Sequence, residues 1–266
     1  MMLKYDSSMG PGRWRPGAVY VHHEPTGQIV YEGPPADLVT PLMGELVASL
    51  QHPDEGPGLV RAAMTHLNFV MIHPFRDGNG RMARILQSLV LAREGILAPE
   101  FASIEEYLGC RTQDYYDVLA EVGGGRWQPK RDARAWLRFC LTAHFRQART
   151  LSRRVEQAER LWSILDDEAR RLGLPDRTIL ALWDAAQRFR VRNAVYKVHA
   201  DLSEYAGGRD LKRLVDVGLL EPRGEKRGRH YVASPQLMTL TQPAREVGRE
   251  SEREDPFEAV QQKLPI

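Results

Sequence analysis

The sequence predicts a mainly α-helical protein with one short β-hairpin near its N-terminal end and a smaller α+β unit behind. Three observations predict this. Apolar residues recur at helical spacing over residues 59–72 and again at Met82, Ile85, Leu86, Leu89 and Val90. Residues 17–35 break that pattern with strand-forming residues on either side of a Pro-Thr-Gly turn. The chain has 266 residues, 42% hydrophobic and 27% charged, enough apolar material for a sizeable core divided over two units.

In the hairpin, Val19 and Val21 alternate with polar or aromatic neighbours, Pro25-Thr26-Gly27 turns the chain, and Ile29-Val30-Tyr31 forms the return strand. The helix over 59–72 is dense in apolar residues. Pro74 cannot extend it, so His73 falls at its end, at the mouth of a loop. His66, two turns earlier, is expected as a hydrogen-bonded core histidine. A further helix carries Tyr115 and Tyr116 and runs to about Val122, and residues 126–149 close the first unit with Trp136, Leu137, Phe139 and Phe145.

Behind it, amphipathic helices are expected over 159–171 and 177–188, separated by Gly173 and Pro175. A helix over 194–200, a turn and a helix over 207–217 follow, then a charged hairpin around 223–228. From Gln236 onward the chain turns polar, with Glu246, Glu250, Glu252, Glu254 and Asp255 clustered, a composition that predicts disorder. The expected domains are therefore 1–150, 158–234 and a disordered tail over 235–266.

A net charge of +2 leaves no chain-wide nucleic-acid or membrane footprint. Cys110 and Cys140 lack the spacing of a zinc site or a disulfide framework and read as reduced thiols. No apolar run reaches membrane-span length and no signal-peptide apolar region begins the chain, so a cytoplasmic protein is expected.

The chemistry concentrates in residues 73–84, His-Pro-Phe-Arg-Asp-Gly-Asn-Gly-Arg-Met-Ala-Arg. Gly78 and Gly80 mark a turn where positive φ costs little, and the helix behind it offers amides that make an anion nest. Arg81 and Arg84, three apart, can both reach a polyphosphate there. Asp77 adds a hard oxygen of the kind Mg²⁺ takes when it bridges phosphates, and His73 could accept a proton from an incoming hydroxyl. The residues by themselves read as a nucleotide-phosphate site beside a general base.

This segment resembles the HPFx(D/E)GNGRxxR signature of Fic-domain proteins and matches its fixed positions. The resemblance extends over about residues 10–150 by family layout. It implies a Fic-type helical bundle with the hairpin as a flap, and transfer of AMP from Mg²⁺-ATP to a hydroxyl of a target protein. His73 would be the base, Asp77 would hold Mg²⁺, and Gly78, Asn79 and Gly80 would form the anion hole, with Asn79 on the α-phosphate. Arg81 would meet the β-phosphate region and Arg84 the γ-phosphate, while Phe75 would anchor the loop in the core. The flap would dock the target segment by strand addition, with Val21 and His22 against the nucleotide, and Tyr115 would line the adenosine pocket. Doc-type kinases carry Lys where this chain has Gly80, so the small residue points to nucleotidyl transfer.

The C-terminal succession of helix, turn, helix and charged hairpin resembles a winged helix. Residues 188–230 hold eleven Lys/Arg against six Asp/Glu, an excess that fits DNA contact. A nucleotide-sensing DNA-binding regulator is thus the alternative, as is a Fic enzyme that uses another nucleotide or removes AMP. No complete match to the family's inhibitory (S/T)xxxE(G/N) helix occurs; the nearest, Ser152 to Glu156, is followed by Gln157. Arg84 is therefore expected to lack an intramolecular carboxylate partner.

Overall fold

The computed structural model describes residues 10–22, 26–51, 56–95, 104–246 and 256–257. The chain divides into two compact units, Met1–Ala148 with Asp255–Ile266, and Arg149–Glu254.

In the first unit, β1 (Tyr20–His22) and β2 (Ile29–Glu32) form the expected antiparallel hairpin, Tyr20 facing Glu32 and Val21 facing Tyr31. Its helices are α1 (Ala36–Ser49), α2 (Gly58–Ile72), α3 (Asn79–Arg93), α4 (Glu105–Cys110) and α5 (Thr112–Gly123). The hairpin is not an isolated ribbon. A two-residue strand, β3 (Gly125–Arg126), pairs parallel with β2, so β2 is central and β1 is an edge. The turn into β3 needs Gly124 and Gly125, at φ 52° and 81°. At Gly123 a Cβ would lie 3.2 Å from the Tyr31 ring, so the glycine lets β2 pack against α5.

The helix α3 departs from the expected apolar stripe. Its buried residues are Asn79, Ala83, Gln87, Val90 and Leu91, whereas Ile85 and Leu89 are 53% and 50% exposed. Two polar residues face inward because each finds buried hydrogen-bond partners, which hydrophobic spacing alone cannot register.

A second departure is α6, Arg134–Arg171, a single helix where two were expected. Its 38 residues contain neither glycine nor proline, so nothing stops it until Gly173 at φ 60° and Pro175. Trp136, Cys140 and Ala143 belong to the core of the first unit, and Leu161, Leu165 and Ala169 to that of the second. The change of unit at 148–149 thus falls inside a helix.

In the second unit α7 (Thr178–Ala186), α8 (Asn193–His199) and α9 (Glu204–Asp216) precede the antiparallel pair β4 (Leu220–Arg223) and β5 (His230–Ala233). Val191 bridges to Tyr231 beside this pair. Leu165, Leu182, Leu211, Leu214, Leu219 and Leu237 are fully buried in its core. The expectation of disorder from 235 onward is corrected over its first part. Residues Pro235–Leu240 and Gln242–Glu246 form short helices α10 and α11, the first capped by the Ser234 hydroxyl, and Leu237 and Ala244 anchor them. The acidic positions 250–255 lie outside the described residues.

Candidate active site

The site is built on the end of α2. His73 caps that helix in the left-handed conformation, φ 51° and ψ 58°, and its backbone N–H donates to Phe69 O at 3.0 Å. The reversal carries the chain through Pro74 into the loop. Phe75 packs between Trp14 and Phe69 at tilted angles, with ring centroids 5.0 and 6.2 Å away, partly buried against the core as the sequence suggested.

The His73 imidazole is largely shielded. Its Nδ1 lies 3.1 Å from Val70 O, an acceptor only, so Nδ1 carries the proton and Nε2 presents a lone pair. Burial lowers the ring's pKa, the Val70 hydrogen bond and Asp77 oppose this, and the Arg15 charge lowers it further. A neutral imidazole with an accepting Nε2 is the protonation state a general base requires.

Gly78, at φ 81°, is the N-cap of α3. The first intrahelical bond runs from Met82 N–H to Gly78 O, so the amides of Asn79, Gly80 and Arg81 belong to the unsatisfied first turn. A Cβ at Gly80 would find only Arg84 Nη1 at 3.7 Å, so the space in front of the turn is open. Asp77 places one carboxylate oxygen on the Gly78 N–H and the other 3.1 Å from Arg81 Nη2.

Three of the expected roles change. Asn79 is 3% exposed, and its amide is committed at both ends: Oδ1 accepts from Phe75 N–H at 3.0 Å and Nδ2 donates to Phe75 O at 2.9 Å. Its side chain clamps the loop, and what it can offer an anion is its backbone N–H. Tyr115 is a core residue, 4% exposed, because it lies on one stripe of α5 with the buried Val118 and Val122. The exposed member of the pair is Tyr116, at 57%. Arg84, expected to lack a carboxylate partner, donates through Nε to Glu105 Oε1 at 2.6 Å. No motif search could find Glu105, since it is 21 residues away on the first turn of another helix. Glu156, the nearest sequence candidate for that role, lies on α6.

Val21 is half-buried in β1, and His22 is exposed at the strand end with Nδ1 3.2 Å from Gly27 O. Both lie on the hairpin, as expected, one on each side of a break in register.

Behind Arg84 runs a buried polar chain. Arg84 hydrogen-bonds the Tyr115 hydroxyl, which lies 3.0 Å from His66 Nε2. His66 Nδ1 is 2.6 Å from Gln87 Oε1, and Gln87 Nε2 is 2.8 Å from His144 Nε2. A carbonyl can only accept and an amide nitrogen only donate, which settles every proton. His66 carries its proton on Nδ1 and accepts from Tyr115 on Nε2, while His144 accepts on Nε2. Burial drives the pKa of both histidines down to about 4.

Residues 2–91 match the Fic/DOC family. That part of the chain is similar to a Fic domain. Over 78 residues it is 37% identical to the protein adenylyltransferase Fic of Nematostella vectensis, a match covering 29% of this chain and 16% of that protein. It is 33% identical over 78 residues to a probable protein adenylyltransferase of Aquifex aeolicus, covering 29% of this chain and 24% of that one. The chain thus spans less than a quarter of the length of these two relatives. Among solved structures, a Fic family protein from Desulfovibrio desulfuricans G20 is similar with a TM-score of 0.49 and 26% identity, covering 84% of this chain and 63% of that one. Among the described residues, no helix is long and apolar enough to cross a membrane.

The two buried histidines make acid stability a test of this site. Each has a folded pKa of about 4 against 6.5 when unfolded. Below about pH 6.5 the unfolded chain binds protons that the folded chain refuses, so stability present above that pH is lost as pH falls toward about 4. Thermal melts are expected to show a falling midpoint across this window. His144→Gln, which still accepts from Gln87, should flatten part of the fall. A wild-type midpoint constant from about pH 7 to 4.5 would contradict the assignment.

Proposed function

We propose that this protein transfers AMP from Mg²⁺-ATP to a hydroxyl side chain of a target protein. The observation that carries the reading is the His73 imidazole, neutral and with Nε2 accepting, set five residues before Gly78, the N-cap of an open helix start. In the proposed reaction the target oxygen bonds to the α-phosphorus. The bond from that phosphorus to the α–β bridging oxygen breaks, and pyrophosphate leaves with the electron pair. The target proton passes to His73 Nε2. The chain's contribution is positioning and charge neutralisation, as phosphoryl-type transfer demands: first-turn amides and Arg81 toward the phosphates, Arg84 toward the terminal one. The names of the matched relatives agree with AMP transfer at the level of the family.

The residues fit a Mg²⁺ ion carried by its nucleotide. Asp77 supplies one half-exposed carboxylate, and Mg²⁺ commonly takes one or two carboxylates with substrate phosphates and water in the remaining positions. The ion would neutralise phosphate charge beside Asp77. A cytoplasmic setting suits both ATP and reduced cysteines.

The Arg84–Glu105 pair qualifies the reading, since a terminal phosphate must compete with the Glu105 carboxylate. That carboxylate is 55% exposed, and exposed pairs contribute about 0–1 kcal/mol, so the competition is weak. ATP is expected to displace it.

A second reading concerns the C-terminal unit, which we take as a winged-helix module that contacts DNA. What supports it is the order α8, α9, β4, β5 together with the charges on α9. Asp210 turns inward to Arg177, at 2.7 and 3.1 Å, and to the Tyr196 hydroxyl at 3.1 Å. Arg209 and Lys212 remain outside with Tyr205, which is 85% exposed, and Lys226 and Arg229 are exposed on the hairpin.

Three outcomes are expected. His73→Ala should lower labelling by α-labelled ATP about 10²- to 10⁴-fold, with Mg²⁺-ATP affinity by calorimetry nearly unchanged; labelling at the wild-type rate would remove the base assignment. Glu105→Ala should leave Mg²⁺-ATP affinity unchanged or raise it by up to about fivefold, the equivalent of about 1 kcal/mol, whereas Arg84→Ala should weaken it; an unchanged affinity in Arg84→Ala would show that Arg84 is not the terminal-phosphate contact. In band-shift experiments with duplex DNA, Arg209→Ala with Lys212→Ala should weaken binding and reduce its salt slope by about two. Absence of any shift at low salt would exclude the DNA reading.

A further inference from the structure

Arg15 is 4% exposed, and its partners among the described residues are backbone carbonyls. Nε donates to His73 O at 2.9 Å, Nη1 to Gly17 O and Nη2 to Pro34 O, each at 2.5 Å, with Ile72 O at 3.5 Å from Nη2. The Arg15 main-chain N–H adds a bond to Pro74 O at 2.9 Å. These acceptors are not scattered. Gly17 precedes β1 and Pro34 follows β2, so they are the two feet of the hairpin. Ile72, His73 and Pro74 are the turn that presents the base.

Packing is tight at the same junction. A Cβ built on Gly33 would lie 2.6 Å from Val19 Cγ1, 3.3 Å from Arg15 Nη2 and 3.8 Å from His73 Cβ. Gly33 N–H also donates to Val19 O at 3.1 Å. Hairpin, guanidinium and the His73 side chain therefore meet with no room for a methyl group. Burying a cation is costly unless its donors are satisfied. Here a rigid planar fork meets carbonyls in three diverging directions, an arrangement the single ammonium of Lys cannot copy.

We propose that Arg15 is a positioning residue that fixes the height of the flap hairpin above His73, and with it the distance from edge strand β1 to the accepting nitrogen. An extended target segment paired with β1 would then bring its hydroxyl to Nε2 at a separation set by Arg15. This rests on the transfer reading above. Strand pairing fixes a segment in two directions but leaves the sheet's own height unset. The junction supplies that third coordinate, and positional errors near 1 Å are costly to transfer rates. Through its charge Arg15 also holds the His73 pKa down, second to burial among the causes that lower it. Asp77, the other charged group acting on the ring, pulls the opposite way.

The test compares Arg15→Lys, Arg15→Gln and Gly33→Ala with wild type and His73→Ala. The readouts are labelling of the full chain and of lysate proteins by α-labelled ATP, Mg²⁺-ATP affinity by calorimetry, and the pH–rate profile. Arg15→Lys and Gly33→Ala are expected to lower labelling at least tenfold while Mg²⁺-ATP affinity stays within about twofold, a loss in kcat and not in nucleotide binding. Arg15→Gln removes the charge beside the imidazole, so the acid limb of its residual activity should move to higher pH, which a purely structural tie would not do. If the Arg15 variants do not fold, Gly33→Ala decides, since it keeps the arginine and disturbs only the junction. Wild-type labelling by Gly33→Ala, or by Arg15→Lys while His73→Ala is inactive, overturns the proposal and leaves the transfer reading standing. Labelling by His73→Ala at the wild-type rate removes the transfer reading itself.

Discussion

The left-handed turn at His73 is the constraint on which the site depends. A non-glycine residue held there carries a cost on the order of 1–3 kcal/mol, and it persists only where its surroundings determine it fully. They do so here through Phe69, Val70 and Arg15, which between them hold the residue's N–H, its ring and its carbonyl. A helix that ran on by one more turn would point the imidazole elsewhere and leave no loop for Phe75 and Asp77. Pro74 forbids that extension, so the sequence and the hydrogen bonds agree about where α2 ends.

Much of this was legible in the sequence. The hairpin, the helix before the loop and the helix after it follow from alternation, apolar spacing and the Gly78–Gly80 turn. What was not legible shares one physical character: polar groups whose partners lie far along the chain. Gln87 faces the core because His66 and His144 are there, 21 and 57 residues away. Arg15 lies 58 residues from the carbonyl it braces, and Glu105 21 from the arginine it meets. Periodicity sees hydrophobicity along one element and is blind to such pairs.

The errors in helix length have a different origin. A closing segment ending at 149 and a separate helix from 159 were expected where α6 runs unbroken. Charge alone does not end a helix; glycine and proline do, and neither occurs before Gly173. Likewise a polar composition from Gln236 suggested disorder, yet Leu237 and Ala244 suffice to hold residues 235–246 against the second core. A few buried side chains at the right positions outweigh the average of a window.

The buried run from Tyr115 through His66 and Gln87 to His144 has a direction. Every donor in it points the same way, away from Arg84, and every lone pair points back. Such a string adds no net charge, but its aligned bond dipoles sum as the peptide dipoles of a helix do, and each polarises the next. Its negative end rests against the guanidinium that the proposed chemistry aims at phosphate. The protein thus steadies the cation from the core with neutral groups, while the carboxylate Arg84 does meet, Glu105, is exposed and open to competition. The field is already in place before any ligand arrives, written in the order of hydrogen atoms along four side chains.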